Sequence, residues 1–374
     1  MTVTGEGPAK RKTSPVWRAV QIVFSLVIVV GIFVYAIPKF ADYSKVWTAI
    51  NEMTVMEIAA MVGVTILNLV TYWPQQTAAM PGLTIAQAAV NNQTSTSIAN
   101  TLPGGGAIAV GVSYTMYRSW GFPNAAIGLS VLVTGIWNIF MKLGMPIVAI
   151  GILAISGQSS AGLLVAALIG LVVLLAAIVL FAMMLWKKEL AKRIGDAVGK
   201  PVSFLRRIVR KPPVTGWGEA AVRFRRLTID LVATQWVKLT LSTVVSHLCL
   251  FLVLLLALRN VGVSEQEIST PQVLAVFAFG RLITALPITP GGFGLIELGY
   301  IGGLVLAGQD HADVSPEFFK AQVAAAVLVF RALTFLFQIP LGGLTYLIWR
   351  AKKSWLKPVP LTSEPDAAIA SPAP

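Results

Sequence analysis

Reactive side chains are scarce in this sequence. Its 374 residues include one cysteine, Cys249, and two histidines, His247 and His311. A lone cysteine excludes an intrachain disulfide, and two isolated histidines without paired ligand spacing give no zinc or iron site. Charge is scarce too: Asp, Glu, Lys and Arg make up 12% of the chain, about half of what a soluble domain carries. The GxxxxGKS/T, HExxH and GxSxG patterns are missing, so nothing points to nucleotide hydrolysis, metalloprotease or serine-hydrolase chemistry. No cofactor and no metal are expected.

What the chain has is apolar length. Residues of the set AVILMFWYC make up 56% of it, and uncharged runs of about 20 residues recur, long enough to cross a bilayer. Six crossings are expected, over residues 19–37, 58–74, 124–156, 161–186, 235–258 and 321–349. The first is longer than a signal-peptide core and more spans follow it, so it reads as a membrane helix. A net charge of +13 would suit nucleic acid in a soluble protein. In a membrane protein the positive-inside bias accounts for it, and no nucleic-acid partner is expected.

Two further apolar stretches are interrupted. Residues 84–117 are broken by Leu102, Pro103, Gly104, Gly105 and Gly106, and residues 271–308 by Leu286, Pro287, Ile288, Thr289, Pro290, Gly291 and Gly292. The arm at 107–117 rises only about 16 Å as a helix and cannot cross alone. Basic residues gather before residue 19, between 187 and 230, and from Arg350 onward, which places both termini and the middle loop in the cytoplasm. Six spans satisfy that sidedness only if each broken stretch returns to the face it entered from, the first from inside and the second from outside. The expected architecture is an all-α polytopic membrane protein of the plasma membrane, with about six full spans and two oppositely inserted, Pro/Gly-broken helical hairpins. Its parts are a cytoplasmic tail (1–18), a transmembrane domain (19–357) and a disordered tail (358–374). Within the domain, a basic loop at 187–234 includes an interfacial helix at 219–232, where Ala221, Phe224, Leu227 and Leu231 recur at helical spacing.

Inverted, broken hairpins resemble the discontinuous helices of secondary transporters, whose substrates bind where the breaks meet. Polar residues at membrane depth agree. Asn91 to Ser97 are seven consecutive polar residues, including Asn92, Thr94 and Ser95, and such a helix should face protein or water rather than acyl chains. Lys142, Arg281, Glu297 and Arg331 are ionisable residues within membrane segments, which makes them functional candidates. Lys238, near a span end, is expected to snorkel, and His247 to pack neutral. Arg281 and Glu297, on opposite arms of the second hairpin, fall at similar depth, with Arg331 also near the midplane. Two arginines and one glutamate suit a phosphate; the rival reading is a structural Arg–Glu bridge that pins the hairpin.

The segment LPITPGGFGLIELG at 286–299 resembles the signature of the lysylphosphatidylglycerol synthase transmembrane region, or flippase-like domain family. Pro287, Pro290, Gly291, Gly292, Gly294 and Glu297 map onto it. A looser match covers Asn100 to Gly106, with Gly104 and Gly105, and the resemblance extends over the chain after Arg18. The chain departs from the family after its first glycine break, where it reads GGAIAVGVSYTMYRSW with only Arg118 charged. The resemblance implies transbilayer translocation of an anionic lipid, a phospholipid or a polyprenyl-phosphate-linked sugar, by a stand-alone membrane module. Implied partners are that lipid, a lipid-modifying enzyme or glycosyltransferase, and a second copy of the chain. A membrane-embedded transferase with Glu297 as general base, and a glycosyltransferase scaffold, are the alternatives.

Overall fold

The computed structural model describes residues 43–102, 104–158, 161–208, 216–284, 289–308, 310, 312 and 314–355. The span expected at 19–37, both tails, Pro103, and Leu286, Pro287 and Ile288 of the second break lie outside these residues. Among the described residues the fold is all helix. A short helix α1 (Tyr43–Asn51) precedes α2 (Val55–Ala79), α3 (Ile85–Thr101), α4 (Gly105–Ser119), α5 (Asn124–Ile155), α6 (Ala161–Trp186), α7 (Lys188–Ile208) and α8 (Trp217–Asn260). Then come α9 (Thr270–Ile283), α10 (Leu295–Gly308), α11 (Pro316–Arg331) and α12 (Gln338–Ala351).

Helix starts follow from side-chain caps. Thr54 with Glu57, Thr84 with Gln87, and Ser269 with Gln272 form reciprocal capping boxes at the heads of α2, α3 and α9. Each satisfies backbone N–H groups that have no intrahelical acceptor. One π turn, Ala332–Leu336, joins α11 to α12. Its cause is Pro340, which cannot donate to the Leu336 carbonyl and whose ring crowds it, so the ladder widens one turn earlier.

Five helices among the described residues are long and apolar enough to cross a membrane: α2, α5, α6, α8 and the joined α11–α12. The protein is a multi-pass, all-α membrane protein. None of the most apolar window of α6 is buried inside the protein, as expected of a helix that is hydrophobic all round and meets lipid. The arms of the broken pairs are shorter. At 17, 15, 14 and 14 residues, α3, α4, α9 and α10 rise about 26, 22, 21 and 21 Å, each less than the roughly 30 Å hydrocarbon layer.

Contacts between helix ends set the relative sidedness. The first pair, α3–α4, opens where the last helix ends: the Trp349 indole donates to the Ser119 hydroxyl at 3.0 Å, and Trp120 meets Trp355 edge-on. On the opposite face, Asn260 donates to the Glu57 carbonyl at 3.4 Å, and the Ser269 hydroxyl donates to Gln158 at 2.7 Å. The second pair, α9–α10, therefore opens on the face opposite to the first.

The separate interfacial helix expected at 219–232 is a correction. Its residues are the first part of α8, which runs unbroken for 44 residues, about 66 Å. Nothing between Ala233 and Gln235 interrupts the helix. The stripe of Phe224, Leu227 and Leu231 packs on Ala78, Ala79, Leu129 and Val133 instead of on a leaflet. On another side α7 lies against this part of α8, joined by Asp196 accepting from the Gly218 N–H at 3.0 Å and by a Lys192–Glu219 ion pair at 3.2 Å.

Candidate functional site

The polar helix α3 has two working faces. On one, Thr94 and Thr345 hydroxyls pair at 3.0 Å and the Ser97 hydroxyl donates to the Ile339 carbonyl at 2.9 Å. Gly342 makes that approach possible: a Cβ there would lie 2.2 Å from the Ser97 Cβ and 2.3 Å from the Gln93 carbonyl oxygen. Small residues that let backbones close, with hydroxyls bonded across the seam, hold helices together where lipid offers no hydrophobic drive. On the other face, Asn92, Thr96 and Asn100, four residues apart, point into a cavity.

Where the second break meets α3, Gly291 is the contact. Its φ of +57° is strained for any residue with a Cβ, and a Cβ there would sit 2.2 Å from the Phe335 ring and 2.9 Å from the Asn100 amide oxygen. The loop after it is tied down by one carboxylate. Glu297, fully buried, accepts the Gly294 N–H on one oxygen at 2.6 Å and the Arg331 Nε–H on the other at 2.6 Å. Its charge also sits in the first turn of α10, at the positive end of the helix dipole. Arg331 in turn donates to the Gly291 carbonyl at 3.4 Å and lies over the Phe335 ring at 4.2 Å.

Arg281 is held differently. One terminal nitrogen lies 3.5 Å from His247 Nε2, and its buried Nε has no hydrogen-bond partner. His247 is fully buried, with Nδ1 2.9 Å from the Thr243 carbonyl. Nδ1 must donate there, which leaves Nε2 as the acceptor that Arg281 needs and makes the ring neutral. The expected neutral histidine is thus in place, as a prop for the guanidinium. Lys142 lies within electrostatic reach of both groups. Among the described residues, no carboxylate pairs with Lys142 or Arg281.

Lys142, Arg281 and Arg331 all open onto a cavity of about 340 Å³ shared with Asn92, Thr96 and Asn100. Tyr72, Asn138, Thr284, Thr334 and Gln338 add to its polar wall. A second cavity, of about 460 Å³, shares Tyr72, Asn92, Thr96 and Asn138 with the first and continues past Ser95 to Gln75, Gln76 and Tyr117, near the mouth of the first pair. Among the described residues, no Asp or Glu lines either one.

Of the residues singled out in the sequence, Asn92, Lys142, Arg281, Gly291 and Arg331 line the first cavity and Ser95 the second. Others lie elsewhere. Thr94 faces α12. Glu297 lies behind Arg331, and its ion-pair partner is Arg331 rather than Arg281. Gly292, at φ +72°, packs on Ile296. Gly104 caps α4 at φ +66° and is exposed, with open space beside its Cα, while Gly105 packs on the carbonyls of Ile98 and Ala99 in α3; neither lines the two cavities. Pro290 begins the short turn that carries Gly291. The expected Arg–Glu bridge exists, but Arg331 makes it in place of Arg281, and among the described residues Arg281 has no carboxylate partner. The sequence reasoning missed Asn68, Tyr72, Asn138 and Gln338; a lone amide inside an apolar run was the available signal.

With the geometry in place, comparison with known families is decisive on kinship. A model described as "Lysylphosphatidylglycerol synthase TM region" matches residues 22–342. The chain belongs to this family. In the lysylphosphatidylglycerol synthase transmembrane family the Pro-Gly-Gly segment and its glutamate are the resemblance already noted, and here they form the Gly291–Glu297–Arg331 clasp. Membership supports a membrane function connected with lipid. No curated protein matches the chain.

Proposed function

We propose that this protein translocates an anionic lipid across the plasma membrane, both termini cytoplasmic, with the head group passing through the cavity between two re-entrant hairpins while the tails stay in the bilayer. The observation that carries this reading is the unpaired Arg281–Lys142 cluster on the cavity wall. Charge at membrane depth without a counter-ion is costly even when half-buried, so a protein that keeps two such cations together, with no carboxylate paired to them among the described residues, gains from an anion brought by its ligand. Amides and hydroxyls from α2, α3 and α5 extend the polar path toward the face where the first hairpin opens. Glu297 acts as a positioning residue, holding Arg331 at the wall and the Gly291 loop in register. Fully buried and doubly bonded, it has no access to a substrate proton, which disfavours the transferase reading.

The test is reconstitution into liposomes with tail-labelled fluorescent anionic lipid, following exposure of the label in each leaflet. Wild-type protein is expected to accelerate exchange, and Arg281→Gln to abolish the acceleration while the protein stays folded. Chemical conversion of the lipid would instead establish an enzyme, and absence of both exchange and conversion would leave only a scaffold.

A further inference from the structure

The cavity is selective about the rest of the head group as well as its phosphate. We infer that the cargo is a phosphate-linked lipid whose head group is neutral and polyhydroxylated, a sugar or a polyol, and that lysylated lipids, which carry two ammonium groups, are excluded. The inference rests on the translocation reading above and narrows it.

Two independent features of the wall lead there. The first is charge. Arg331 is neutralised by Glu297 at 2.6 Å, but among the described residues Lys142 and Arg281 have no such partner and no carboxylate lines either cavity. A lysyl phospholipid carries two ammonium groups against one phosphate, so it would bring net positive charge against Lys142 and Arg281, and such a site rejects it by repulsion. A site built for an ammonium head group would show a carboxylate at its wall.

The second feature is the hydrogen-bonding inventory. Asn92, Asn100 and Asn138 reach the same space from α3 and α5, with the hydroxyls of Tyr72 and Thr96 between them. Side chains of Tyr72, Thr96 and Asn100 make no hydrogen bond within the described protein, and the Asn138 amide spends its N–H on the Thr134 carbonyl at 2.8 Å, which leaves its oxygen open. An amide offers donors and an acceptor together, and a hydroxyl offers one of each. A ring or chain of hydroxyl groups satisfies such a wall at every turn, whereas a hydrophobic head group would leave it unpaired. At about 340 Å³ the cavity falls in the range of small-molecule sites.

The experiment reconstitutes the wild-type protein with tail-labelled phosphatidylinositol, phosphatidylglycerol, a glycosyl phosphate polyprenol or lysyl-phosphatidylglycerol in separate vesicles and compares leaflet exchange. The polyol and glycosyl lipids are expected to cross at least tenfold faster than the lysyl lipid, and the faster arm identifies the lipid class. In a Lys142→Gln, Arg281→Gln double variant that advantage falls below threefold, whereas Arg281→Lys, which keeps the charge, retains it. Equal or faster exchange of the lysyl lipid overturns the inference and leaves translocation standing. In detergent, inositol 1-phosphate should raise the unfolding temperature of wild type but not of the double variant, while lysine methyl ester raises neither. If inositol 1-phosphate stabilises the protein but no lipid crosses, translocation fails and the head-group chemistry survives. If neither occurs, both fall.

Discussion

Arg281 and Arg331 make a matched pair for mutation, because they line the same cavity and differ in one respect. Arg331 has Glu297, and Arg281 has no counter-ion among the described residues. In Arg331→Met the Glu297 carboxylate, 0% exposed, becomes an unpaired buried charge, and breaking a buried pair in this way costs about 3–5 kcal/mol. At about 1.4 kcal/mol per decade, the folded-to-unfolded ratio should fall by two to four orders of magnitude. Arg281→Met removes an unpaired cation that Lys142 already repels, so stability should hold or rise by about 0.5–2 kcal/mol, while lipid exchange is lost. The assay is equilibrium unfolding in mixed micelles of a mild detergent and SDS, read by the ten tryptophans. Adding Glu297→Gln to Arg331→Met should recover at least about 1 kcal/mol, the signature of a coupled pair. If Arg281→Met proves as destabilising as Arg331→Met, Arg281 is a structural residue and the anion-seeking cavity loses its support.

Gly342→Val should cost at least about 3 kcal/mol, since overpacking here forces apart two backbones rather than a flexible side chain; the unfolding midpoint measures it. With Cys249 replaced by alanine, Asn92→Cys and Ser95→Cys should react with water-soluble thiol reagents, and Thr94→Cys should not. Equal labelling of all three would contradict the assignment of faces on α3. Outside the membrane, partial burial raises the Glu265 carboxyl, but bonds from the Thr270 N–H and hydroxyl and the ion pair with Arg259 outweigh it and hold the pKa below the usual carboxylate value. A depressed folded pKa contributes stability that is present above the unfolded value, near 4.5, and is lost as acid takes the pH down through the folded one. Glu265→Gln should remove that acid-side loss, a change of about 0.5 kcal/mol or less for so exposed a pair, visible in unfolding midpoints compared between pH 7 and pH 3.

Much of this was legible in residue order, for physical reasons that differ by element. The spans were readable because bilayer thickness demands uninterrupted apolar length, and the two breaks because Pro and Gly in such runs need a special reason. Asn92, Arg281 and Arg331 stood out because polar groups are rare at that depth. The partner of Glu297 was not legible: sequence spacing put Arg281 and Arg331 at similar depth, and only packing decides which guanidinium turns toward it. Nor was the fate of residues 219–232, whose apolar stripe suits a lipid surface or a neighbouring helix equally well until Ala78 and Val133 are seen beside it. Thr94 shows the same limit on a smaller scale, since seven polar residues in a row conceal which of them meet a helix and which meet water.

After Gly218, α8 contains neither glycine nor proline up to Asn260, so it is a stiff rod that carries Arg223, Arg225 and Arg226 near one end and His247 toward the other. A rod without a joint transmits whatever displaces its outlying tip. Were another molecule to grip the part bearing Arg223, Arg225 and Arg226, the imidazole that steadies Arg281 would shift with it, and the proposed hold on an anion would change at a distance.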